Sequence, residues 1–117
     1  MDSILTSIKK LLGIEEEYTH FDADIIMHIN SVFSDLTQIG VGPAEGFSII
    51  DSGTTWREYT DNNPTISNVK QYIYLKVKLV FDPPTNSSVL ASYERMIGQL
   101  EWRLNVAVDP NKEESEV

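Results

Sequence analysis

The chain has 117 residues, no cysteine and a formal net charge of −9, with nine Lys and Arg against eighteen Asp and Glu. That is the length of one domain, able to bury roughly two thirds of its unfolded surface, and it excludes disulfides, thiol nucleophiles and thiolate zinc sites. So acidic a chain is a poor grip for phosphates, and no apolar run reaches the roughly 18 residues of a membrane span.

The first element, "DSILTSIKKLLG", predicts a helix over 2–12. Asp2 or Ser3 would cap it, and Ile4, Leu5, Ile8, Leu11 and Leu12 fall at helical spacing. Lys9 and Lys10 sit in the last turn, where cations suit the helix dipole, and Gly13 stands at C′. The lysines follow the apolar residues rather than precede them, unlike a signal peptide, so a soluble chain that is intracellular at synthesis is expected. The absence of cysteine fits a reducing compartment. The linker "IEEEYTH" begins the acidic stretch: residues 14–63 hold ten acids against Arg57 alone. Solubility and a functional use of this charge are both open readings.

A second helix is expected over 20–39. Thr19 and Asp22 form a variant capping box, Ile25, Ile29, Val32, Phe33 and Leu36 make the apolar face, and Gly40 marks the end. "VGPAEGFSIIDSGT" is loop chemistry, with at most a short extended piece at 47–50. Its length for a connection suggests function. Thr55 and Glu58 make another capping box, so 56–59 reads as one helical turn.

"QYIYLKVKLVFDPP" has two readings. Taken by twos, Ile73, Leu75, Val77, Leu79 and Phe81 form a strand face. Taken by threes and fours, Val69, Ile73, Val77 and Val80 line a helix. Asn63–Pro64 makes an N-cap with proline at the first helical position, and Asp82–Pro83 makes a stop. The 19 residues between these marks are a helix's length, and no other segment offers a comparable partner strand. The expectation is a central helix over 64–82, apolar around most of its girth, with Lys76 alone among the apolar positions. The last helix is expected over 87–105, capped by Ser87 or Ser88, with Val89, Leu90, Tyr93, Met96, Ile97, Leu100 and Leu104 as its stripe. Gly98 within it costs about 1 kcal/mol against alanine, which a close helix crossing would justify. "NVAVDPNKEESEV" is expected to turn extended, and residues 109–117 to form a disordered acidic tail behind a single domain at 1–108. The fold class is therefore all-α, a small four-helix bundle with a long loop between its second and third helices.

Of the chemistry-bearing clusters, His20, Asp22, Asp24 and His28 come nearest to a metal site, since Asp24 and His28 are four apart on a helix. The alternative is that the two aspartates serve the helix N-terminus. Glu15, Glu16 and Glu17 read as solvated acids. The glycines at 40, 42 and 46 make no phosphate loop, and no serine has a nucleophile-elbow setting. No nucleophile, base and oxyanion site assemble, so no enzyme and no cofactor are expected. Trp56 and Trp102 are candidate interface anchors or core residues.

"GVGPAEGFSI", "TTWREY", "YIYLKVKLVFDPP" and "YERMIGQLEWRLNV", following the acidic helical half, resemble the small head–tail connector proteins of long-tailed bacteriophages and prophages. These are also called head completion or adaptor proteins, and the likeness runs from about Met1 to Val108. It implies a non-enzymatic α-helical protein without metal or cofactor, made in the host cytoplasm and then part of the virion at the head–tail junction. Copies would form a homo-oligomeric ring, a dodecamer in the virion, between the portal protein and a tail-side connector or stopper protein. DNA would pass through without specific binding, and no membrane is involved. On this reading Glu15, Glu16 and Glu17 are candidate channel acids, and Phe47, Ile49, Ile50, Trp56, Lys76 and Trp102 are candidate interface residues. Phe47, Ile49 and Ile50 either order against a partner or cover the end of the bundle. A small acidic module that docks on a host or phage protein through its loop is the alternative, and a metal-dependent hydrolase a distant third.

Overall fold

Ser3 opens the first helix, α1 (Ile4–Leu11), with an extended backbone and its Oγ accepting the Thr6 amide at 3.2 Å. A computed structural model describes residues 3–59 and 66–108 of the chain. Four further helices follow in these segments: α2 (Asp22–Gln38), α3 (Trp56–Tyr59), α4 (Ile66–Phe81) and α5 (Ser87–Val108). The all-α expectation holds, and the only extended pairing among the described residues is an isolated bridge between Ser3 and Thr55. The Asn63–Pro64 start expected for α4, and the tail at 109–117, lie outside the described residues.

Two helices end as their glycines require. At Gly13 (φ +83°) the Ile14 amide bonds the Lys9 carbonyl at 2.9 Å, and the Gly13 amide bonds Lys10 at 3.1 Å. At Gly40 (φ +87°) Val41 bonds Leu36 and Gly40 bonds Thr37 in the same pattern, and both Val41 and Leu36 are buried. Both are Schellman ends, in which a left-handed residue lets two orphan carbonyls find donors.

Three boundaries differ from expectation. The N-cap of α2 is Phe21, with no side-chain cap: the Asp22 amide bonds the Thr19 carbonyl, and the Asp22 carboxylate reaches Lys9 instead of closing a capping box. Asn86, not Ser87 or Ser88, caps α5, its Oδ1 accepting the Ser88 and Val89 amides at 2.8 and 3.2 Å. α5 also continues through Val108 where an extended segment is expected. Leu104 is buried just before that point, and Asn105 donates to the Ile39 carbonyl at 3.5 Å, so packing overrides the weak helix propensity of the "NVAV" run. The Thr55–Glu58 box does form, through the Thr55 amide and Glu58 Oε2 at 2.8 Å.

The segment with two readings is a helix. α4 buries Val69, Tyr72, Ile73, Leu75 and Val77, residues spread around its girth, because α1 and α2 pack on it from one side and α5 from another. Lys76 does not break this core. It lies on the α2 side, where Nζ meets Asp35 Oδ2 at 2.7 Å and the Tyr72 hydroxyl at 3.3 Å. That hydroxyl donates to Glu101 Oε2 at 2.8 Å, so one polar chain ties α2, α4 and α5. α5 is held mainly through α4 and, among its described side chains, buries only Leu100 and Leu104 below a few per cent exposure. The result is a flattened body of 49 × 36 × 20 Å.

Candidate assembly surfaces

The acidic linker is organised by a cation. Lys9 is 2% exposed, and its ammonium donates to the Glu16 carbonyl at 3.0 Å and the Tyr18 carbonyl at 2.8 Å. Asp22 Oδ1 lies 2.9 Å away as a charge contact. A buried lysine is tolerated only when its protons and charge are matched, and these partners match it. Because the backbone of 16–18 is drawn inward, the side chains of Glu15, Glu16 and Glu17 turn out to solvent, flanking an open groove with Thr6, Lys10, Gly13 and Ile14. The sequence marks Lys9 only faintly: it lies four residues after Leu5, on the flank of the apolar stripe, whereas Lys10 does not.

The long loop is pinned at Ile49. Asn30 of α2 donates from Nδ2 to the Ile49 carbonyl (2.9 Å) and accepts the Ile49 amide at Oδ1 (2.8 Å), satisfying both backbone groups as a neighbouring strand would. Ile49 is buried and Phe47 packs edge-on against the Phe33 and Tyr59 rings, each with centroids 5.1 Å apart. Of the three apolar loop candidates, only Ile50, 83% exposed, faces solvent. Trp56 is buried too, with Nε1 donating to Ser7 Oγ at 3.1 Å and Lys70 over its ring. Ile49 and Trp56 are therefore buried within the protomer, while Lys76 is partly exposed and paired with Asp35. Ile50 and Trp102 remain exposed.

Next to the loop, Gly42 (φ +85°) lies so close to Tyr59 that a Cβ there would fall 2.6 Å from its hydroxyl oxygen. That hydroxyl is buried without a hydrogen-bond partner among the described residues, and burial pushes its pKa up to about 12. Burial and the Glu101 carboxylate likewise raise Tyr72, and burial with the Tyr93 hydrogen bond raises Tyr74.

The four residues weighed as metal ligands are not gathered. Asp22 is committed to Lys9, and the His20 ring packs edge-on against Phe21 at 4.8 Å. Among the described residues no group of three or more His, Asp or Glu side chains converges.

The outer face of α5 forms a second exposed surface, which the sequence reading does not name as a unit. Arg95, Gly98, Gln99, Trp102 and Arg103 recur at i, i+3, i+4, i+7 and i+8 and line one open groove. A Cβ on Gly98 would meet nothing within 4 Å, so no close crossing among the described residues accounts for that glycine. The spacing is legible in the sequence, on the side of the helix opposite Leu100 and Leu104.

In comparison with known proteins, the family model described as phage connector protein aligns with residues 4–111. No curated protein and no solved structure gives a significant match.

Proposed function

Since the chain belongs to the phage connector proteins, the head–tail connectors of bacteriophages, and so has a structural role in the particle, we propose that it works as a ring of identical copies between portal and tail that extends the DNA exit channel. The observation that carries this reading is the amount of apolar surface left on a small, flat body. Leu11, Tyr18, Met27, Ile50, Val80 and Trp102 are each at least half exposed, from 50% for Tyr18 to 83% for Ile50. Exposed side chains of this kind supply the apolar anchors of an interface when they meet a partner surface. A flattened protomer with sticky sides suits head-to-tail repetition around an axis, which closes into a ring when the rotation permits.

In this role the protein binds the portal on one side and a tail-side connector or stopper protein on the other. It is made in the host cytoplasm and finishes in the virion. It catalyses nothing, and DNA crosses the ring without specific contacts, which the net charge of −9 favours by repelling the phosphate backbone. The rival reading, a module docking through its loop, has less to support it, because only Ile50 of the loop's apolar residues is free to dock.

Imaging purified heads with and without the protein tests the proposal. A ring of added density beneath the portal, and tail joining that depends on it, is the expected result. Heads that lack the protein yet join tails normally would overturn it.

A further inference from the structure

We propose that the outward face of α5 seats the acidic arm 14–18 of a second copy, so that a heterologous contact repeats from one protomer to the next. This names the contact within the ring proposed above and rests on that reading.

The first argument is charge. In a chain carrying −9, exposed cations facing outward together are scarce. Lys9, Lys76 and Lys78 are each held by a carboxylate of their own chain, Lys70 lies over the Trp56 ring, and the exposed Lys10 lines the same groove as Glu15, Glu16 and Glu17. Arg95 and Arg103 are exposed on one helix face two turns apart. Arg95 reaches only the Ser92 hydroxyl, at 3.3 Å, and neither arginine pairs with a carboxylate among the described residues. Glu15, Glu16 and Glu17 form the complementary group, exposed, adjacent and held out by the Lys9 anchorage of their backbone. Among the described residues no ion pair joins the two sets within one copy; the acids lie on the linker after α1, and the arginines on α5, which packs mainly on α4.

The second argument is shape. Trp102 is 59% exposed and lines one open groove with Gly98, one helical turn before it. With no Cβ at Gly98 the face has a notch bounded by an aromatic ring and two guanidinium groups. The arm offers an apolar counterpart, Ile14 and the half-exposed Tyr18 lining a groove with Gly13 and Glu15. A tryptophan flanked by arginines is the composition of an interface anchor, and an apolar patch rimmed by acids is what it would meet. Because the two surfaces differ, one copy's face fills the next copy's groove and leaves its own groove for a third. Glu15, Glu16 and Glu17 then lie between protomers, a departure from their expected place on the channel wall.

Charge reversal on the full-length protein tests this, read by sedimentation velocity over a concentration series and by occupancy on portal-bearing heads. Arg95→Glu with Arg103→Glu should weaken self-association by at least about tenfold, and Glu15→Lys with Glu17→Lys should do the same. Mixing the two variants, or combining all four changes in one chain, should restore it. Trp102→Ala should weaken assembly without lowering the unfolding temperature. All sites are exposed, and circular dichroism verifies that each variant is folded. Assembly unchanged by either reversal overturns the inference, as does failure of the combination to restore it. Rings that form normally but no longer accept tails would also overturn it, because α5 would then face the tail-side partner. If the unaltered protein neither self-associates nor occupies the heads, the ring reading itself fails, a result distinct from these.

Discussion

Replacing Lys9 with methionine removes the cation around which the acidic arm is built while nearly conserving volume. Two charge-assisted hydrogen bonds, at 3.0 and 2.8 Å, and the contact with Asp22 at 2.9 Å disappear together. Breaking a buried ion pair from one side costs about 3–5 kcal/mol. Here the Asp22 side chain is 26% exposed and regains some hydration, so the low end applies, about 3 kcal/mol. That is a large share of the roughly 5–15 kcal/mol available to a domain of this size, and corresponds to a fall in unfolding temperature of about 10 °C. Lys10→Met is the control: Lys10 is exposed one residue away, and its loss should cost no more than about 0.5 kcal/mol. Urea unfolding of the two variants gives the energies. Amide exchange should show residues 13–18 opening in Lys9→Met while α4 stays protected. Asp22→Asn should cost less, about 1–2 kcal/mol, and be clearly non-additive with Lys9→Met. Equal stabilities for Lys9→Met and Lys10→Met, or additive losses at Lys9 and Asp22, would refute the reasoning.

Asn30→Ala should cost about 1–3 kcal/mol by stranding both backbone groups of Ile49, and hydrogen exchange at the Ile49 amide should speed up before global unfolding does. Tyr59→Phe should be neutral or stabilising by up to about 1 kcal/mol in denaturant melts, since the hydroxyl it removes is buried without a partner. Gly42→Ala should destabilise by about 2–4 kcal/mol in the same assay, because a Cβ at φ +85° would run into the Tyr59 ring. Stability should fall as pH rises above about 10: the unfolded chain then loses phenolic protons that folded Tyr59 keeps until about pH 12 and that Tyr72 and Tyr74 also retain past their ordinary range. Urea midpoints measured from pH 9 to 11 check this, and in Tyr59→Phe the decline should be shallower.

The helices were legible because their signals are local. Ser3, Gly13 and Gly40 act on backbone groups within four residues, and apolar spacing of three and four fixes a face whatever it later meets. The ambiguous run at 71–84 yielded to the same kind of evidence, its length and the absence of partner strands. Sequence neighbours could not say where a side chain finds its partner across the fold. Lys9 looked like a dipole-matching surface lysine and became a buried anchor, since Glu16, Tyr18 and Asp22 close over it only when the linker folds back. Lys76 looked out of place on α4 until α2 brought Asp35 to it, and Ile49 and Trp56 looked available until Asn30 and Ser7 claimed them. Periodicity states which residues share a face, but burial and pairing depend on which other face arrives. That is a property of the packed helices, and here it left Trp102 and two arginines outside.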